Sequence, residues 1–251
     1  MDLTKKTAFV TGGSGDIGGA IARALAAAGA DIAISYVGEL NRATETVNAL
    51  RALGRRSLAV QLDQRDPKAI DAAARKVVDE FGRVDILVNN AAWNIGIPFK
   101  ELDPLTAEIW DRILETNLRG PFLLARTLAP HLRAHGAGRI VNIASTGGIY
   151  PSSSSIAYSS SKAGLIHLTR CLAVALAPDV TVNCIAPGLV EGTRMARRLP
   201  EAVVEGARKQ VVLGRSGSAE DIADQVVTFC RAESVTGQVV VVDGGMPGAM
   251  R

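Results

Sequence analysis

Short apolar runs alternate along the chain with longer stretches in which apolar residues return every three or four positions. Runs rich in Val, Ile, Leu and Ala at 7–10, 32–35, 58–62, 86–89, 140–144, 180–185 and 239–242 read as strands. They are continuously apolar rather than alternating, the pattern of strands covered on both faces, so a parallel sheet is expected. Stretches at 17–28, 41–53, 104–117 running on towards 132, 157–177, 200–211 and 219–230 read as helices. Between 62 and 86, Asp66 offers an N-cap, Pro67 a first helical residue, and Ile70, Ala74, Val77, Val78 and Phe81 a single apolar stripe. The β-α alternation predicts an α/β fold: a single domain over residues 1–251, doubly wound, with about seven parallel strands and helices on both faces.

Composition adds little beyond a compartment and a list of excluded partners. No run reaches the roughly eighteen apolar residues of a membrane helix, so no membrane association is expected. The opening MDLTKKTAFVTGG runs straight into a strand and a turn and leaves no room for a secretory leader, which points to the cytoplasm. The 28 basic and 25 acidic residues are spread along the chain, net +3, unlike the basic stripe that nucleic acid selects. The one basic cluster, His131, Arg133, His135 and Arg139, reads as a solvated loop between helix and strand. Cys171, Cys184 and Cys230 lack the spacing of a disulfide framework or zinc site; each reads as a small core residue, and no metal is expected.

Chemistry first shows at the end of the first strand, where Thr11-Gly12-Gly13-Ser14-Gly15-Asp16-Ile17-Gly18 leads into a helix. Gly13, Gly15 and Gly18 satisfy the spaced-glycine fingerprint of a Rossmann dinucleotide turn, where missing side chains let backbone approach a pyrophosphate. TGGSGDIG also resembles the T-G-x-x-x-G-x-G turn of short-chain dehydrogenases/reductases, with Thr11, Gly12 and Gly18 in register. Asp16 stands where that family has its middle glycine, and Gly15 where NADP-preferring members often carry a base. The resemblance implies a cofactor site formed by Gly12, Ser14, Gly15, Asp16, Ile17 and Gly18, with Tyr36 and Asp63 at the ends of the second and third strands. Asn90 and Ala91 of N-N-A-A, and Pro187, Gly188 and Val190 of the P-G turn, extend it, with Thr193 one residue later than the family pattern.

An acid at the end of the second strand would bind ribose hydroxyls and favour NAD(H). Tyr36 stands there instead, which favours NADP(H); yet Gly15 and Val37 supply no cation, and Asp16 and Glu39 would repel a phosphate, so NAD(H) stays open.

Tyr158 and Lys162 lie four apart at the start of a helix and so share a face. A phenol is a poor acid–base group at neutral pH unless a fixed cation lowers its pKa, and Lys162 is placed to do that. Ser145 follows the strand RIVNIA and is delivered to the same sheet edge. The trio resembles the family's Ser–Tyr–Lys site, and Asn117 in ETNLRGPF its N-x-x-G-x-F segment, where the asparagine of a distorted helix holds a water beside the lysine. This implies hydride transfer between NAD(P) and a small-molecule carbonyl or secondary alcohol, with Tyr158 as acid/base, Ser145 holding the oxygen, and Lys162 also orienting the cofactor's ribose.

Substrate identity stays open between 3-oxoacyl thioesters and sugars, because Trp93, Tyr150 and a substrate lid around 189–214 are the least constrained parts. A non-catalytic dinucleotide-binding redox sensor is the alternative, though a sensor has no need of all four site residues. An epimerase or dehydratase is disfavoured, since such relatives usually carry a longer C-terminal substrate domain. The family resemblance further implies a homotetramer, built through the long helices at 104–132 and 157–177.

Overall fold

The structure, a computed structural model, describes residues 1–151 and 154–249, without the side chains of Arg198 and Ala249; Ser152 and Ser153 of the Ser/Gly-rich stretch, and Met250 and Arg251, lie outside it. Its sheet contains β1 (Thr7–Val10), β2 (Asp31–Tyr36), β3 (Ser57–Gln61), β4 (Ile86–Asn89), β5 (Gly138–Ile143), β6 (Val180–Pro187) and β7 (Val239–Val242). All seven are parallel, in the order β3-β2-β1-β4-β5-β6-β7. The apolar runs are continuous because alternate residues serve opposite layers. Ala8, Val10, Ile32, Ile34, Ile86 and Val88 face one core, and Phe9, Ala33 and Leu87 the other. Helices α1 (Asp16–Ala27) and α2 (Leu40–Ala52) close the first layer, together with a late helix at 219–231. Helix α3 (Pro67–Phe81) closes the second, joined by helices at 120–133 and 156–176. Each fully buried Ile or Leu contributes about 2 kcal/mol.

Helix ends fall where capping chemistry puts them. The Asp66 side chain accepts from Lys68 N at 2.8 Å, Pro67 opens α3, and Gly82 ends it at φ 76°. The helix expected from 104 starts instead as α4 (Ala107–Leu114), because Thr106 caps it by accepting from Ile109 N. It then passes through a π-helical stretch, Glu115–Arg119, into α5 (Gly120–Arg133). Helix α6 (Ile156–Leu176) is capped by Ser155, α7 covers Glu201–Gln210, and α8 (Ala219–Arg231) opens on a capping box of Ser218 and Asp221.

Two expectations from sequence are corrected here. Cys171 is exposed, since Thr169, Leu172, Ala173 and Leu176 form the inward face of α6 and Cys171 lies off it. Arg139 is not in a solvated loop: it is buried in β5, and its Nε donates to the Cys230 carbonyl at 3.1 Å.

The strand order reverses at β1, which pairs with β2 on one side and β4 on the other. Loops leaving the carboxyl ends of β1 and β4 therefore part and open a crevice. Among the described residues no helix is long and apolar enough to cross a membrane, and no group of three or more His, Cys, Asp or Glu side chains could hold a metal ion.

Candidate active site

The crevice is a cleft of ≈ 700 Å³. Its floor is the turn between β1 and α1. Gly12 adopts φ 62°, which reverses the chain, and its N–H donates to the Ser35 hydroxyl at 3.0 Å. A Cβ on Gly18 would lie 2.3 Å from the Gly12 carbonyl oxygen, so only glycine lets the helix start so close to the strand. Helix α1 has no side-chain cap, and its first internal bond is Gly19 N to Gly15 O at 2.8 Å. The amides of residues 16–18 precede that bond and are the anion-binding groups of a helix N-terminus. This cradle fits a dinucleotide diphosphate.

Across the cleft, Thr11 and Asn90 tie the turns after β1 and β4 together. The Thr11 hydroxyl accepts from Asn90 N and Ala91 N, each at 3.0 Å, and Asn90 Nδ2 donates to the Thr11 carbonyl at 2.9 Å. The loop after β6 forms the far wall. Gly188 is packed so tightly that a Cβ would lie 2.6 Å from that of Asp243. Thr193, one residue late in sequence, lines the cleft, but its hydroxyl serves the loop itself, donating to the Val190 carbonyl at 2.8 Å and accepting from Ala196 N at 3.2 Å.

Ser145, Tyr158 and Lys162 meet at the carboxyl end of β5 and line the same cleft. Ser145 Oγ accepts from Gly147 N at 3.1 Å, which leaves its own hydrogen to donate. Tyr158 and Lys162 are buried on one face of α6, with Lys162 Nζ 5.6 Å from the phenol ring centre. Nζ donates to the Ile143 carbonyl at 2.8 Å. Burial pushes the Tyr158 phenol up to about 12, with a Ser145 hydrogen bond acting the other way. Burial also pushes the Lys162 ammonium down to about 8, with the neighbouring Cys184 acting the other way. Desolvation dominates both groups.

The residues nominated as cofactor contacts line this one cleft: Gly12, Ser14, Gly15, Asp16, Ile17, Gly18, Tyr36, Asp63, Asn90, Ala91, Tyr158, Lys162, Pro187, Gly188, Val190 and Thr193; Gly13 of the glycine fingerprint does not, being packed instead on Ile34, where a Cβ would lie 2.4 Å from that side chain. Asn117 sits behind it, fully buried in the π-helical stretch. Its Oδ1 accepts from Trp93 N at 2.8 Å, and its Nδ2 donates to the Trp93 carbonyl at 3.0 Å and to Ser161 Oγ at 3.1 Å.

The sequence profile of the family described as enoyl-(acyl carrier protein) reductase matches residues 13–247. The chain is similar to the 3-oxoacyl-[acyl-carrier-protein] reductase FabG of Staphylococcus aureus, 35% identical over 252 residues that cover 98% of this chain and 99% of the relative. It is also similar, at TM-score 0.90, to a short-chain dehydrogenase from Burkholderia cenocepacia solved with NADP, 38% identical and covering 98% and 100% of the two chains. The chain belongs to the short-chain dehydrogenase/reductase family. A further similar structure, again at TM-score 0.90, is a blue fluorescent protein from a metagenomic library solved with NADPH, 36% identical with 98% and 99% covered. This short-chain dehydrogenase/reductase is an NAD(P)-dependent oxidoreductase acting between alcohol and carbonyl groups. The alternative of a non-catalytic redox sensor finds no support among these relatives.

In this short-chain dehydrogenase/reductase, sequence reasoning missed several side chains that shape the cleft. Gln64 Nε2 donates to the Ala91 carbonyl at 3.1 Å and the Thr116 carbonyl at 2.6 Å, tying the loop after β3 to the turn after β4 and to the π-helical stretch. Arg112 stacks over Trp93 at 4.1 Å. Asp63 is gripped by Arg65 through Nε at 3.0 Å and Nη2 at 2.6 Å, which holds its carboxyl below the usual range. Asp16, the acid that replaces a family glycine, is turned onto Arg42 at 3.2 Å and accepts from Arg194 N at 2.7 Å. The only sequence signal for these is that each lies within a few residues of a strand's carboxyl end or a motif.

Proposed function

We propose that this enzyme is an NADP(H)-dependent carbonyl reductase in which Tyr158 is the acid/base, Ser145 holds the substrate oxygen, and Lys162 and Asn117 complete the proton path. The reading rests on one observation: the Ser145 hydroxyl, the Tyr158 phenol and the Lys162 ammonium converge in the cleft floored by the glycine turn. A nicotinamide dinucleotide held by the nominated residues supplies the hydride. The protonated phenol gives its proton to the substrate oxygen, and the Ser145 hydroxyl donates a hydrogen bond to it as charge develops. Lys162 spends one of its three N–H groups on Ile143, leaving two for the ribose and the returning proton. Two hydroxyls converging on one oxygen suit a carbonyl better than a carbon–carbon double bond.

NADP(H) is favoured because Tyr36 replaces the ribose-binding acid and because two similar structures are complexes with NADP and NADPH. A 3-oxoacyl thioester is the first substrate class to assay. That is the substrate named for a relative, and exposed Met195, Leu199 and Val203 offer apolar contacts for an acyl chain. Residues 1–251 act as one domain, with 189–214 as lid. Helix α7 buries no residue, and the Glu191–Arg208 ion pair holds it against the loop after β6. By resemblance to its family the enzyme is a cytoplasmic homotetramer. A depression on α4, the π-helical stretch, α5 and α6, with Leu114, Leu118, Phe122, Leu168 and Cys171 as its apolar lining and Asp111, Glu115, Arg119 and His167 beside them, supports such an assembly.

Titration with NADPH and NADH, then absorbance decay with a carbonyl panel including 3-oxoacyl thioesters, tests the reading on wild type and Tyr158→Phe. Both proteins should bind cofactor, while turnover in the variant falls by about 10²–10⁴. Absence of binding by either cofactor overturns the reading, and full turnover in the variant overturns the assignment of the acid.

A further inference from the structure

The two positions from which a cation for the adenosine phosphate was expected are Gly15 and Val37, and neither can supply one. The structure brings two arginines to that end of the cleft from elsewhere. Arg42, in the first turn of α2, donates through Nη1 to Glu39 at 3.1 Å and through Nη2 to Asp16 at 3.2 Å. Arg194, from the loop after β6, donates through Nη1 to both Glu39 oxygens at 2.9 and 3.0 Å, and its backbone N–H reaches Asp16 at 2.7 Å. The result is a closed ring, Asp16–Arg42–Glu39–Arg194, beside the end of β2. Asp16, Glu39 and Arg194 line the cleft itself.

The four members are not held equally. Asp16 is anchored by a backbone amide as well as an arginine. Glu39 has only the two guanidinium groups and is 54% exposed, so each of its ion pairs is a weak surface pair. A phosphate monoester carries up to twice the charge of a carboxylate and three acceptor oxygens, and two guanidinium forks match it better.

We propose that Arg42 and Arg194 are the residues that select the 2′-phosphate of NADP(H), and that Glu39 is a built-in competitor which the phosphate displaces. The inference rests on the NADP(H) reading above and adds the residues that enforce it. Because Arg194 belongs to the segment over the site, the phosphate also fastens that segment across the adenosine end. NADH, lacking the phosphate, leaves Glu39 on both arginines. Selectivity therefore comes from α2 and the lid rather than from the turn.

Calorimetric titration of wild type, Arg42→Ala, Arg194→Ala and Glu39→Gln with NADPH, NADH, 2′-phospho-ADP-ribose and ADP-ribose tests this without reference to turnover. Each alanine variant should lose at least about tenfold in affinity for the phosphorylated ligands and less than about threefold for the others, the value of a charge-assisted hydrogen bond. Glu39→Gln should bind NADPH several-fold tighter with NADH unchanged. Arg194 lies on an exposed loop, so its variant reports even if Arg42→Ala folds poorly. Wild type that prefers NADPH while both alanine variants keep the same preference overturns the assignment, and NADPH affinity unmoved in Glu39→Gln overturns the competitor. Wild type that prefers NADH overturns the NADP(H) reading itself, before any variant is needed.

Discussion

Lys162 is a charged group held against the preference of its surroundings. Its ammonium is buried and its pKa falls from 10.5 to about 8, a cost of about 3 kcal/mol at neutral pH. The unfolded chain therefore binds more protons than the folded one between pH 8 and 10.5, and stability rises with pH across that window. Lys162→Met should remove both the cost and this rise. Chemical denaturation at pH 7 should find the variant more stable by on the order of 1–3 kcal/mol, less whatever the orphaned Ile143 carbonyl costs. Wild-type reduction should fall as pH rises through about 8, where the ammonium is lost, while the phenol at about 12 stays protonated throughout. The Tyr158–Lys162 pair was legible in the sequence because four residues of helix fix its geometry locally. The ring of Asp16, Arg42, Glu39 and Arg194 was not, because its contacts span as many as 178 residues and only the packed sheet brings them together.

At the scale of elements, the break between α4 and α5 separates what periodicity can reveal from what it cannot. Apolar spacing marked 104–132 as helical, and nothing in that spacing distinguishes α from π winding over five residues. Only the resemblance of ETNLRGPF to a family segment pointed to a distortion. Boundaries were readable where side chains enforce them, as at Asp66, Pro67 and Gly82, and misplaced where Thr106 went unrecognised as a cap. The distortion matters because it carries Asn117 to the Trp93 backbone and to Ser161 on α6, joining three elements behind the site. Asn117→Ala should leave those partners unsatisfied and destabilise the fold by about 3 kcal/mol in urea titration. Turnover should fall more steeply than cofactor affinity, since the residue lies behind Tyr158 and Lys162 rather than in the cleft.

For the whole molecule, one parallel sheet sends every loop of the site to a single edge, away from the outer faces of α4, α5 and α6 that are proposed above for assembly. Phe122, 41% exposed on that surface, is the natural probe. Sedimentation equilibrium should find Phe122→Glu in smaller species than the wild type, because a charge in an apolar contact is left unpaired. The sheet also has a seam, where β1 and β4 meet and the chain's two halves part, and Asn90 stitches it by donating to the Thr11 hydroxyl through its backbone N–H and to the Thr11 carbonyl through its side chain, across 79 residues. Each bond pairs one residue's side chain with the other's main chain, so Thr11→Val and Asn90→Ala should each cost about 1–2 kcal/mol in unfolding titrations, and the two losses should add in the double variant. Because the main chain supplies one partner of every bond, the stitch is redundant: either side chain can be lost and a hydrogen bond across the seam survives.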